Sequence, residues 1–160
     1  MAGDRLERNF GKLHALHVAA FTRHLIECRH ACDGDLDLFL VLTIIGERTF
    51  SPQFAPEAMT HTEFLEGTVG SVEPLAINLQ SIADYSGIPR ETVRRKIEQL
   101  IARGWVQRDE LRFVTATDQA NDELRDLTAS TLRYLREMEA ALSACAALDG
   151  NADEPPFQAI

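Results

Sequence analysis

The chain has 160 residues, 45% of them hydrophobic and 26% charged, enough for one ordinary domain or a small module with helical flanks, and too apolar for a disordered polymer. Its first eight residues are charged where an export signal would be apolar, and its greasiest run, 36–46, holds Asp37 and Thr43 and is too short to span a bilayer, so a cytoplasmic location and no membrane partner are expected. The net charge of −9 argues against indiscriminate nucleic-acid binding, and three cysteines form an odd, sparse set that suits a reducing compartment better than a disulfide framework.

Leu6, Phe10, Leu13, Leu16, His17, Ala20, Phe21, His24 and Cys28 recur at steps of three and four, which predicts one amphipathic helix over residues 5–31. His24, Cys28 and Cys32 share a face of it at steps of four. Imidazole and thiolate are good ligands for Zn²⁺ and similar ions, so these three are the candidate residues for metal or thiol-redox sensing. The competing reading is a helix face whose small cysteines pack, and without a CxxC pair no metal is assigned.

Asp33-Gly34-Asp35 ends this helix and starts a second, 35–47, which is apolar on nearly every side and reads as the core helix. Residues 49–73 contain Pro52, Pro56, Gly67 and Gly70 and read as an irregular insertion with a helical stretch around 57–65. Gly67-Thr68-Val69-Gly70-Ser71 lacks the lysine of a phosphate loop. No Walker loop, no GxGxxG after a strand, no HExxH and no GxSxG elbow occurs, and no carboxylate pair stands out, so neither an enzyme nor a cofactor is expected.

The segment from Leu75 to Trp105 is the most informative. Asn78 suits the N-cap of a short helix that stops at Gly87, where positive φ lets the chain turn. Pro89 sits at the start of the next helix, where a missing N–H costs little. Val93, Ile97, Leu100 and Ile101 form the buried stripe of that helix, with Ile82, Ala83 and Ile88 facing it. Gly104 ends it, and Trp105 to Arg108, Asp109-Glu110 and Leu111 to Val114 read as two short strands about a tight turn. Residues 81–115 carry seven basic and five acidic side chains, a local +2 that leaves −11 on the rest. A basic face on an acidic body can dock on DNA.

Two helices crossing at a glycine turn and followed by a hairpin make the winged helix-turn-helix plan. Gly87-Ile88-Pro89-Arg90-Glu91-Thr92-Val93-Arg94-Arg95 resembles the recognition region of the bacterial Crp/Fnr and GntR regulator families, and Leu100 to Val106 resembles their lead into the wing. The resemblance covers about 40 residues and implies that Arg90, Glu91 and Arg95 touch base edges. Geometry independently places residues 90, 91, 94 and 95 at the N-terminal end of an amphipathic helix, opposite Val93 and Ile97. Arginine pairs bidentately with guanine and glutamate accepts from cytosine. Thr92, Arg94, Lys96, Arg108 and Arg112 suit phosphate contacts, which fix register without reading sequence. Nothing before Leu75 alternates like the β-barrel of Crp-like proteins, so a cyclic-nucleotide sensor is not implied.

Ala120, Leu124, Leu127, Thr131, Tyr134, Met138, Ala141, Cys145 and Leu148 form a heptad-like seam that predicts a helix over 117–148. Such a helix is roughly 45 Å long and needs a partner, either a second copy or the first helix. The helical flanks resemble in layout the MarR-type regulators, in which both terminal helices build a dimer. The expected fold is therefore mainly α with a small β-hairpin wing: a winged helix-turn-helix at 35–115 with its 49–73 insertion, dimerisation helices at 1–34 and 116–148, and a flexible tail at 149–160. The expected function is a homodimeric transcriptional regulator that binds double-stranded DNA at an inverted repeat, its effector unidentified. The alternatives are a winged-helix protein-interaction module and a metal- or redox-responsive regulator using the His/Cys face.

Overall fold

The computed structural model describes residues 4–50, 58–66 and 75–151, which divide into two compact units, residues 1–27 with 129–160 and residues 28–128. The helix expected over 5–31 is interrupted: α1 (Arg5–Arg8) ends at Asn9 and α2 runs Phe10–Ala31. Asn9 turns its side-chain amide back to donate to the Arg5 carbonyl at 3.1 Å, the local competition with helical geometry that makes asparagine a poor interior residue.

The larger unit is built on α3 (Leu36–Thr49). Asp33 (φ 53°) and Gly34 (φ 89°) reverse the chain, and the Asp35 carboxylate caps α3 by accepting from the Leu38 N–H at 2.9 Å. Leu38, Val41, Leu42, Ile44 and Ile45 are buried, whereas Leu36 and Leu40 are about two-fifths exposed. The helix is thus buried on one broad face, not all round. Of the insertion, residues 51–57 and 67–74 lie outside the described residues. The helix expected at 57–65 is α4 (His61–Leu65), started by a capping box in which the Thr60 hydroxyl and the Glu63 carboxylate bond reciprocally to backbone N–H groups.

Two helices then cross. Asn78 caps α5 (Leu79–Ser86) through its side-chain oxygen, 2.9 Å from the Ser81 N–H, and Gly87 closes it at φ 71° with its N–H on the Ala83 carbonyl. Pro89 occupies the N-cap of α6 (Arg90–Ala102), so no helical hydrogen bond is lost to it. Ile82, Val93, Ile97 and Leu100 interlock with Val41, Ile45 and Cys32 of the neighbouring segments in one core, closed over by Trp105, Val106 and Val114. Gly104 ends α6 at φ 75°, and a Cβ there would collide with the Gln119 side-chain amide.

The hairpin follows in an altered register. β1 is Val106–Arg108 and β2 is Val114–Ala116, paired antiparallel with Gln107 opposite Thr115. The second strand therefore starts three residues later than the expected Leu111, because 109–113 form a wider loop. The Asp109 carboxylate accepts from the Phe113 N–H at 2.8 Å, and Arg112 adopts φ 67° to close the turn. Ile77 bridges to Val114 and extends the small sheet toward α5.

The helix expected over 117–148 is also two: α7 (Asp118–Glu123), capped by Thr117, and α8 (Arg125–Asn151), separated at Leu124. α8 enters the expected tail, of which 152–160 lie outside the described residues.

The smaller unit pairs α2 with α8 in antiparallel fashion. Leu13 packs on Ala141, Cys145 and Leu142 at one end, and Arg133 pairs with Glu27 at 2.8 Å toward the other. Between them Tyr134 sits among His17, Phe21 and His24 and bonds His17 Nδ1 at 2.9 Å. Ala141 and Cys145 of the expected heptad seam are thus buried within the chain itself; the side chain of Leu148 lies outside those described. By helical phase the ion pairs Arg23–Glu137 and Glu27–Arg133 share one flank. Phe10 and Phe21 of α2, 63% and 42% exposed, and Leu135 of α8, 55% exposed, share the other.

Candidate nucleic-acid interface

Because Val93, Ile97 and Leu100 turn inward at steps of four and three, the residues half a turn away from them face solvent. Glu91 and Arg95 point most directly away from the core, and Arg94 and Arg90 follow on the Glu91 side; all four are exposed. Thr92, half-buried, receives a long hydrogen bond of 3.4 Å from Arg95 Nη2. Pre-positioned side chains on the first turns of a helix braced from behind by a continuous core are what insertion into a major groove requires.

The side chains expected to contact DNA are not equivalent. Among the described residues Arg90, Arg95 and Arg112 form no ion pair. Arg94 lays its fork on Glu91, with Nε 3.0 Å from both carboxylate oxygens and Nη2 2.7 Å from Oε1. That hydrogen bonding holds the Glu91 carboxyl below its usual range and raises the Arg94 guanidinium above its own. Arg108 of the wing reaches Glu98 of α6 at 2.9 Å, bracing β1 on the recognition helix. Lys96 departs most from expectation. Its side chain is only 16% exposed and its ammonium pairs with the Asp35 carboxylate, so it is turned away from the outward face and joins α6 to the cap of α3. Burial alone would raise the Asp35 pKa, but the Lys96 contact and the Leu38 N–H outweigh it and hold the carboxyl low. The i,i+3 spacing of Glu91 and Arg94 signals their pairing in the sequence; nothing local signals the link between Asp35 and Lys96.

Arg103, not among the expected contacts, stacks its guanidinium 4.8 Å from the Trp105 ring centroid and pairs with Asp33 at 2.7 Å. Trp105 Nε1 donates to Glu123 at 2.6 Å, which ties α7 to the base of the wing. Arg112 stands exposed in the wing loop beside Leu111, which is 79% exposed.

The His/Cys face resolves into separate environments. His24 Nδ1 is 2.8 Å from the Ser130 hydroxyl, Cys28 is buried, and Cys32 is buried in the larger core, where desolvation raises its thiol pKa. A raised pKa withholds the thiolate that ligation or oxidation needs. Among the described residues no group of three or more His, Cys, Asp and Glu side chains is arranged to hold a metal.

A two-helix crossing braced by α3, an arginine-rich N-terminal half on the second helix and a two-stranded wing define a winged helix-turn-helix. Residues 71–110 match the family model of the IclR helix-turn-helix domain, a DNA-binding domain of transcription regulators, which differs from the Crp/Fnr, GntR and MarR families that the sequence resembles. The match covers the crossing and β1 and supports a DNA-binding regulator of transcription. No curated protein and no solved structure matches the chain. Among the described residues no helix is long and apolar enough to cross a membrane.

Proposed function

We propose that the protein regulates transcription from the cytoplasm as a homodimer on an inverted-repeat operator, inserting α6 into the major groove of each half-site. Arg90, Glu91 and Arg95 meet base edges, while Thr92, Arg112 and Arg108 lie toward the phosphates; Lys96, committed to Asp35, takes no part. The observation that carries this reading is the outward face of α6, where Glu91 and Arg95 stand opposite the buried Val93 and Ile97 within the segment similar to the IclR helix-turn-helix. Neither catalysis nor a cofactor is assigned.

A second copy is the partner that best fits the smaller unit. A pair of helices whose small core is Leu13, Ala141 and Cys145 buries too little to stand alone. One flank carries two exposed ion pairs beside Leu16, and the other presents Phe10, Phe21 and Leu135 to solvent. Two such flanks brought together make a four-helix bundle. A two-fold dimer would set its recognition helices on half-sites about 34 Å apart or a multiple of that spacing.

Selection of genomic fragments bound by the purified chain, followed by mobility-shift titration, tests the reading. The expected result is an inverted repeat, with binding lost in Arg90→Ala and Arg95→Ala while self-association is kept. If the wild-type protein binds no duplex in a salt-dependent way, the reading fails and a protein-interaction role takes its place.

A further inference from the structure

We infer that Arg94 is the positioning residue for Glu91, holding its carboxylate ready for an amine on a base edge, and is not a phosphate anchor. This rests on the DNA-binding reading above and adds to it a division of labour on the first turns of α6.

The geometry is specific. Three donor contacts at 2.7–3.0 Å lock the guanidinium and carboxylate in a forked pair, two on Oε1 and one on Oε2. A carboxylate offers about four acceptor positions, so Glu91 keeps one on Oε2 for a further donor. Glu91 points away from the core more directly than Arg94, so the carboxylate leads and the guanidinium supports it. An exposed glutamate on a helix samples many rotamers, and ordering it at a base edge costs entropy. The fork imposes that order before DNA arrives.

Charge points the same way. A lone carboxylate entering a groove is repelled by the phosphates, whereas the Glu91–Arg94 pair enters neutral. An arginine already neutralised by its neighbour releases little counterion on binding, so Arg94 adds little to the salt dependence that a phosphate contact provides. The paired carboxylate stays ionised and acts only as an acceptor. The complementary groups in a major groove are exocyclic amines, above all cytosine N4.

The test uses the full chain and a duplex whose preferred half-site has been found with wild-type protein. Affinity is measured for every base at each half-site position, over a range of salt, for wild type, Glu91→Ala, Arg94→Ala, Arg94→Lys and the double alanine variant. Circular dichroism checks folding, which an exposed i,i+3 pair scarcely affects. The expected result is that Glu91→Ala and Arg94→Ala each lose about tenfold discrimination at the same C·G pair, one good base contact. The double variant should lose no more, and the salt slope of Arg94→Ala should match that of wild type. Arg94→Lys, with charge but no fork, should behave as Arg94→Ala. The inference is overturned if Arg94→Ala weakens binding evenly at all positions and lowers the slope by about 0.9, the mark of one lost phosphate contact. It is equally overturned if Arg94→Ala leaves discrimination intact. Wild-type protein with no duplex binding would sink the DNA reading as a whole, a result distinct from either.

Discussion

The two units of this chain solve the same burial problem differently. In residues 28–128 three helices and a hairpin enclose Ile45, Ile82, Val93, Ile97 and Leu100 almost completely, Asp35 and Asn78 cap the starts of α3 and α5 and Gly87 closes the end of α5, and ion pairs tie segments far apart in sequence. In the smaller unit two long helices share a few small residues and an aromatic cluster, and large side chains stay in water. The first closes its core within one chain; the second leaves Phe10, Phe21 and Leu135 exposed. On the dimeric reading proposed above, the first would read DNA and the second would join two copies, the combination a two-fold DNA-binding protein needs.

Removing the centre of the larger core should have the greatest effect. Ile97→Ala opens a cavity in this closed core and should cost about 2–5 kcal/mol in urea unfolding, read through Trp105, the single tryptophan, in the same core. Next, Phe21→Asp on the exposed flank should weaken self-association by roughly a hundredfold, about 3 kcal/mol, in sedimentation equilibrium, while leaving the Trp105 signal native. Loss of both together would mean that Phe21 supports the fold itself and would overturn the reading of its flank as a docking surface.

Lys96→Met keeps the aliphatic stem and removes the partner of Asp35, and should lower stability by about 1–2 kcal/mol at neutral pH. The Asp35 carboxyl is held low in the folded state, so its contribution is fully present above its unfolded pKa of about 3.9 and is lost as pH falls through the lower folded value. The stability gap between wild type and Lys96→Met should therefore be constant near neutrality and close in acid. The smallest effect is expected from Asn78→Ala, about 1 kcal/mol from the lost cap of α5, seen as a lower melting temperature with DNA discrimination retained.

The parts legible in the sequence are those set by neighbours in the chain. Asn78, Gly87, Pro89 and Gly104 mark helix ends because caps and positive φ are local demands, and Val93, Ile97 and Leu100 announce a face because helical periodicity is local as well. The crossing of α5 and α6 follows from these. What stayed hidden depends on competition or distance. A spacing of four continues through Leu124 although the helix does not, since periodicity records faces and not continuity. The wing register turns on one carboxylate, Asp109, reaching over its own loop. Thr60 and Glu63 do carry a visible capping-box spacing that would have shortened the expected helix at 57–65. For the candidate site, the exposure of Arg90, Glu91 and Arg95 was legible from phase. The Arg94–Glu91 pair was legible from its i,i+3 spacing, but the commitments of Lys96 to Asp35 and Arg108 to Glu98 were not, because those pairings join separate elements.

The left-handed backbone of Arg112 has a consequence for how this wing can change. An arginine at φ 67° carries a strain of roughly 1 kcal/mol or more that glycine or asparagine would relieve. Variants drawn from a library at this codon and sorted only for thermal endurance should drift toward those two residues. Sorting for operator occupancy should restore the guanidinium. One loop position would then trace, in its population of side chains, the exchange rate between holding the fold and doing the work.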